Sequence, residues 1–367
     1  MDLLDNEKKI FENIPQEFIK TLYDFPKQFR KAEEVLEGVK LPTRKEFNNV
    51  LILGVGISTI VSFKLLDAIN INRLNKPVIL CTKRKIPSWV DKDTLVIASS
   101  HSGNSSEVLE AAEECLKSGA RVIAITNGGK LKSRAAHNKN MHLVEYTYPV
   151  ESRMALGYIY VLITGILNRL GVIEICGDLK ECMLGIEWDE VEEVIFEYSR
   201  ELSPDVKTYK NPAKITAINL FKNIPVIYGS NRVTEAVSFR MKSQICINSN
   251  NLAHYNTVPE INHSEISAWE MRPDLREKFF VLFITDGDLN KKSKTKVEII
   301  KGLFMEKGIN FEELILEGSN DAVKSFKGVF LADWISIYLA VLNNVDPVAS
   351  KLVDSVKTRL KKKSSGD

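Results

Sequence analysis

The stretch Thr94-Leu95-Val96-Ile97-Ala98-Ser99-Ser100-His101-Ser102-Gly103-Asn104-Ser105-Ser106-Glu107-Val108 decides the fold. Leu95 to Ala98 form an apolar run with no polar alternation, the pattern of a strand covered on both faces. A hydroxyl-rich loop follows at once, and Val108, Ala112 and Leu116 then recur at helical spacing. Strand, polar turn and helix in that order form half of a βαβ unit. Outward from this stretch, short apolar runs at 49–54, 77–81 and 121–126 each lead into helix-like sequence. The alternation predicts a parallel sheet wrapped by helices. After a polar stretch near 199–212, similar units resume with runs at 225–228, 279–285 and 311–316. The class is therefore α/β with two Rossmann-like units in tandem.

The expected boundaries are a helical lead-in over 1–40, a first unit over 41–174 and a helical connector over 175–220. A second unit over 221–345 and a C-terminal helix with a basic tail over 346–367 complete the chain. In the lead-in, Phe18, Leu22, Phe25, Phe29 and Val35 have helical spacing and read as a cover for a later core, with no chemical role.

Length and composition agree with this reading. The 367 residues suffice for two domains, and 44% apolar with 27% charged is ordinary globular usage. With 50 Lys and Arg against 48 Asp and Glu, the net charge of +2 gives no general attraction for nucleic acid or an anionic membrane. Any anion must be held locally. Cysteines at 81, 115, 176, 182 and 246 are odd in number and form no C-x-x-C pair, which predicts reduced core thiols in a cytoplasmic protein and no metal site. The acidic start, Met1 to Glu7, lacks the basic and apolar regions of a signal peptide. The apolar stretches 50–61 and 154–167 fall short of the ~20 residues of a membrane span and are expected in the core.

The loop after the 94–99 strand is the expected anion site. A helix N-terminus offers unpaired amides and the positive end of its dipole, so a phosphate fits there without metal. Ser100, Ser102 and Ser105 add hydroxyls, Gly103 admits close backbone approach, and Asn104 with Glu107 three residues on has the form of a capped helix start. The earlier turn, Gly54-Val55-Gly56-Ile57-Ser58-Thr59, has Thr59 where the third glycine of G-x-G-x-x-G belongs. It is an incomplete dinucleotide signature, and Ser58 is expected to form a second wall of a sugar-phosphate pocket. The second half has an acidic turn instead, Thr285-Asp286-Gly287-Asp288.

These segments resemble the sugar isomerase (SIS) fold, and more narrowly the bifunctional phosphoglucose/phosphomannose isomerases of archaea and bacteria. Gly54 to Ser58 is similar to that family's G-M-G-G-S, Ser100 to Ser105 to S-Y-S-G-N-T, Ile125 to Leu131 to I-T-S-G-G-K-L, and Ser152 to Tyr158 to P-R-A-A-L-G-Y. The likeness continues in order through 225–229, 234–244, 252–269 and 346–357. It implies two SIS domains and a cofactor-free, metal-free isomerisation of hexose 6-phosphates through a cis-enediol. It also implies roles. Arg153 would steady the enediolate. His263, in Pro259-Glu260-Ile261-Asn262-His263-Ser264-Glu265, and Lys357 would open the sugar ring. His263 would come from the partner subunit of a homodimer.

One position departs from the resemblance. Arg240-Met241-Lys242-Ser243-Gln244-Ile245-Cys246-Ile247-Asn248 stands against R-W-K-T-Q-I-N-E-N, so Ile247 occupies the place of the family's proton-transferring glutamate. Isoleucine accepts no proton, and a positioned base contributes about 10²–10⁴ in rate. Glu260 is a substitute base on this reading, with Glu265 and His254 as further choices. The alternatives are a sugar-phosphate-binding or regulatory protein, or a SIS isomerase for a different sugar phosphate.

Overall fold

The structure is a computed structural model that describes residues 3–42, 47–173 and 188–364. Three helices lead, α1 (Glu7–Asn13), α2 (Gln16–Tyr23) and α3 (Lys27–Gly38). The first α/β unit runs β1 (Asn49–Leu53), α4 (Ile57–Asn70), β2 (Val78–Cys81), β3 (Thr94–Ser99), α5 (Ser106–Lys117), β4 (Arg121–Thr126), α6 (Gly129–His137) and β5 (Met141–Glu145). A 3-10 turn, Ser152–Met154, then enters α7 (Leu156–Arg169). Helices α8 (Trp188–Glu201) and α9 (Pro212–Leu220) lead to the second unit. It comprises β6 (Ile224–Gly229), α10 (Arg232–Asn248), β7 (His254–Thr257), the one-turn helices α11 (Val258–Ile261) and α12 (Pro273–Arg276), β8 (Phe279–Asp286), α13 (Lys291–Glu306) and β9 (Phe311–Leu316). Helices α14 (Asp321–Leu342) and α15 (Lys351–Ser364) close the chain.

Both sheets are parallel, in the orders β2-β1-β3-β4-β5 and β7-β6-β8-β9. Each reverses direction beside its first strand, which leaves a crevice at the strands' C-terminal ends where ligands of such sheets bind. Alternate residues explain the packing. Val50, Ile52, Leu95, Ile97, Ile123 and Ile125 of the first sheet face inward, as do Ile227, Leu282 and Ile284 of the second. Helices α4, α7, α10 and α14 fill the layer between them, so the two units share one core. The opposite faces, through Leu51, Val96 and Val122 or through Val226, Val281 and Phe283, carry separate outer cores. With both faces covered, the strands read as unbroken apolar runs.

Two sequence expectations need correction. Strands β5 and β7 were not among the expected runs, because Met141-His142-Leu143-Val144-Glu145 and His254-Tyr255-Asn256-Thr257 are edge strands rich in polar residues. Among the described residues the longest apolar helix is α14, which has the length and hydropathy of a membrane span; 89% of its most apolar window is buried in the core. Of the cysteines, Cys115 is buried and Cys81 and Cys246 are half-buried, all as free thiols, while Cys176 and Cys182 lie outside the described residues.

Within the central layer sits a buried ion pair. Arg240 of α10 donates from Nε and Nη2 to the two oxygens of Asp333 of α14, each at 2.8 Å, and Gln244 Nε2 adds a third bond at 2.9 Å. Both charged side chains have at most 1% exposure. An ion pair removed from water holds only while both partners remain. Arg240→Met should therefore lower the unfolding free energy in urea by about 3–5 kcal/mol, by leaving Asp333 buried without its cation. A loss below about 1 kcal/mol, the size of an exposed pair, would show that the interaction does not hold the layer together.

Candidate active site

The loop 100–105 leaves the C-terminal end of β3 beside the turn that follows β1, at the switch point of the first sheet. Ser100 N donates to Ile125 O, and Asn127 N and Leu131 N donate to His101 O and Gly103 O, zipping the loop to the β4–α6 turn. The two turns pass back to back. A Cβ on Gly103 would stand 1.8 Å from Gly128 O, and one on Gly129 would stand 2.2 Å from Ser102 O. Both glycines have positive φ, +64° and +70°, so glycine is required twice over.

Asn104 does not cap α5. Its amide spans the turns instead, with Nδ2 donating to Ser102 O and Oδ1 accepting from Lys130 N. The N-cap is Ser105, whose side chain makes no capping bond and accepts from Ser100 Oγ at 3.2 Å. The Asn104–Glu107 cap expected from sequence is thus replaced by a bare helix start, and the amides of the first turn of α5 lack intrahelical partners. Arg84, missed in the sequence, lies over this turn, donating to Ser106 Oγ at 3.2 Å and paired with Glu110 at 2.8 Å.

The β1 turn serves a different purpose from a dinucleotide loop. A Cβ on Gly54 would meet Thr59 Cγ2 at 2.3 Å, and Thr59 Oγ1 bonds Ser99 Oγ at 2.9 Å. Thr59 thereby locks α4 onto β3. The Ser58 hydroxyl is buried and donates to Ser152 O at 2.6 Å. Its proton is already used, and its place is as a strap on the Arg153 turn.

That turn is gripped from three sides. Three successive carbonyls, of Ser152, Arg153 and Met154, accept from Ser58 of α4, Arg240 Nη1 of α10 and Gln28 Nε2 of α3, at 2.6, 2.8 and 2.8 Å. Arg153 is buried, and its guanidinium carbon lies 5.4 Å from the Phe18 ring centroid. Nε donates to Asn248 Oδ1, Nη1 to Glu151 Oε2 and Nη2 to Pro347 O, at 2.9, 3.1 and 2.9 Å. Each terminal nitrogen carries one N–H beyond these bonds. Burial pushes the guanidinium pKa down and Glu151 opposes this. The lead-in covers the core as expected, and two of its residues, Phe18 and Gln28, also help to set the arginine turn.

Around the loop, His101 Nδ1 bonds Tyr146 OH at 2.8 Å. Burial lowers the His101 pKa, against the Val150 backbone bond and the Glu151 charge, which favours the neutral ring. The remaining sequence candidates make no hydrogen bond to Arg153 among the described residues. His263 is exposed in the turn after α11, Glu260 is exposed within α11, and Lys357 falls on α15 with its side chain outside the described residues. Glu265 accepts from Tyr228 at 2.7 Å and Asn256 at 2.7 Å and lies 3.3 Å from His254. Burial alone would raise its pKa, but these bonds hold it below the usual carboxylate value. Among the described residues no hydrogen bond joins this group to Arg153 or the serine loop. Ile247 is half-buried in the last turn of α10, next to Asn248.

The chain is 32% identical to the bifunctional phosphoglucose/phosphomannose isomerase of Caldicellulosiruptor bescii over 341 residues, 93% of this chain and 98% of that one. The chain belongs to this family. Residues 209–360 match the bacterial phospho-glucose isomerase C-terminal SIS domain, and 82–161 match the SIS domain. The family is one of SIS-domain phosphosugar isomerases, and the two parallel sheets are its two SIS domains. A D-glucosamine-6-phosphate 4-epimerase of Sulfolobus acidocaldarius is 25% identical over 87% of this chain and 91% of its own. A hypothetical protein from Thermus thermophilus superposes with a TM-score of 0.69 at 15% identity, over 94% of this chain and 90% of that one.

The second SIS domain fills its own crevice. Lys324 Nζ donates to Asp286 at 2.9 Å and Asp288 at 2.5 Å, and Asn231 Nδ2 donates to Asp286 at 2.7 Å. Burial would raise the Asp286 pKa, but the Asp288 amide, Lys324 and Asn231 hold it below its ordinary value. A carboxylate so lowered contributes stability above about pH 4, lost as pH falls through its folded value. Asp286→Asn should flatten the acid limb of stability against pH in urea titrations, and an unchanged limb would contradict this. In the first domain, Gly103→Ala should abolish the rise in melting temperature with fructose 6-phosphate. An undiminished rise would dissociate the loop from phosphate binding.

Proposed function

We propose that the chain interconverts glucose 6-phosphate and mannose 6-phosphate with fructose 6-phosphate, moving a proton between C1 and C2 through a cis-enediol. The observation that carries this reading is Arg153. A buried cation with two spare N–H groups stands on a turn strapped by Ser58, at the same sheet end as a bare helix N-terminus. Phosphate would bind the amides of α5 and the hydroxyls of Ser100, Ser102 and Ser105, with Asn104 and Gly103 shaping the loop. The sugar would extend towards Arg153, whose N–H groups would meet the charge on the enediolate oxygen.

Ring opening falls to His263 and Lys357 on this reading. The exposure of His263 suits donation to a second copy of the chain, and so a homodimer. A second reading, a sugar-phosphate binder or an isomerase for a different sugar phosphate, is favoured by Ile247, which offers no proton acceptor. The relative named as a glucosamine-6-phosphate epimerase shows that such sequences span more than one activity.

Fructose 6-phosphate incubated with the protein should yield both aldose phosphates. Arg153→Gln should slow the reaction by about 10²–10³-fold, the scale of a lost oxyanion donor. Mixing inactive Arg153→Gln and His263→Ala subunits should restore about a quarter of the wild-type rate, through mixed dimers with one intact site. Binding without turnover in the wild type would establish the second reading, and no recovery on mixing would place His263 within its own subunit or outside the site.

A further inference from the structure

We propose that Glu151 is the base that carries the proton between C1 and C2, supplying from the Arg153 turn the carboxylate that position 247 lacks. The inference rests on the isomerase reading above and adds to it the group that reading leaves unassigned. Isomerisation by proton transfer needs a base with a free lone pair next to the cation that steadies the oxygen. Among the acidic and imidazole groups near the site, geometry removes most. Asp333 has both oxygens occupied by Arg240 and Gln244 and is sealed in the core. Glu265 has both oxygens occupied by Tyr228, Asn256 and His254. His101 is tied to Tyr146. Glu260 is exposed in a one-turn helix and makes no contact with the Arg153 cluster by hydrogen bond among the described residues.

Glu151 differs from all of these. Oε2 accepts from Arg153 Nη1 at 3.1 Å, whereas Oε1 has no hydrogen bond among the described residues. Its side chain is 41% exposed beside an arginine side chain of 5% exposure, so the pair has one sealed end and one open end. The Glu151 backbone enters the 3-10 turn whose three carbonyls are held by α3, α4 and α10. A base must be fixed in this way to serve two adjacent carbons.

In the aldose-to-ketose direction, the Glu151 carboxylate takes the proton from C2. The C2–H electron pair becomes the C1=C2 bond, and the carbonyl pair moves to O1, facing Arg153. O1 takes up a proton and the 2-hydroxyl gives one up. The C2=O bond then forms as the C1=C2 pair accepts at C1 the proton held by Glu151. No oxidant or second substrate is needed, since one proton is moved between carbons and one between oxygens.

The test is exchange of the carbon-bound hydrogen of fructose 6-phosphate with D2O, followed by NMR beside the ligand-induced rise in melting temperature. Glu151→Gln should reduce exchange by about 10²-fold or more while keeping that rise, and Glu151→Asp should recover part of the rate. Exchange by Glu151→Gln within about tenfold of wild type overturns the assignment. So does loss of exchange and binding together, which would make Glu151 only a support for Arg153. So does loss of exchange in Glu260→Gln with Glu151→Gln active. If Glu151→Gln does not fold, Glu151→Asp decides, with wild-type exchange overturning the assignment and a slowed rate supporting it. Absence of exchange and turnover in the wild type would overturn the isomerase reading itself, and this assignment with it.

Discussion

The bond from Arg240 Nη1 to the Arg153 carbonyl, backed by the Asp333 carboxylate, is the constraint on which the rest of the structure depends. It joins a turn of the first SIS domain to two helices of the second inside a buried layer. A guanidinium placed there without a carboxylate would be costly, and a carboxylate without its guanidinium equally so. The same cluster continues through Asn248, which accepts from the Arg153 side chain and donates to Ser336. The domains therefore cannot shift relative to each other without moving Arg153. The shared core supplies most of the burial, and this polar network fixes its register.

The two SIS domains use one crevice in opposite ways. In the first, the helix start is bare, the hydroxyls of Ser100 and Ser105 face one another, and Arg84 lies over the turn. In the second, Lys324 occupies the equivalent position at the sheet's switch point and is neutralised by Asp286 and Asp288. One domain is left able to receive an anion, and the other supplies structural support. This division accounts for a nearly neutral chain in a family acting on anionic sugars, because the recognition is local.

Much of this was legible in the sequence wherever the relevant residues are neighbours along the chain. Seven of the strands were evident as apolar runs, which are unbroken where both faces are buried, as in Leu95 to Ala98. Of the four edge strands, β5 and β7 were not, since His142 and Glu145 flank the apolar pair of the one and His254, Asn256 and Thr257 leave the other mostly polar, whereas β2 and β9 keep the apolar runs Val78–Cys81 and Leu314–Leu316. The serine loop was evident as a block, but the part played by Asn104 was misjudged, because its partner Lys130 lies on the next turn. Arg153 stood out, whereas its supports did not. Gln28, Phe18, Asn248 and Pro347 reach it only through folding, and no local spacing could reveal them. Glu151 lay two residues away in plain sight, yet only the geometry separates it from the other glutamates.

The central claim is that the serine loop and the Arg153 turn form one site, with phosphate at one end and the reacting carbons at the other. A crystal structure with the enediolate analogue 5-phosphoarabinonate bound tests this most directly. The phosphate is expected on the amides at the start of α5, with the carboxylate of the analogue against the spare N–H groups of Arg153 and Glu151 beside it. An analogue with its phosphate elsewhere, or with its carboxylate turned away from Arg153, would contradict the account.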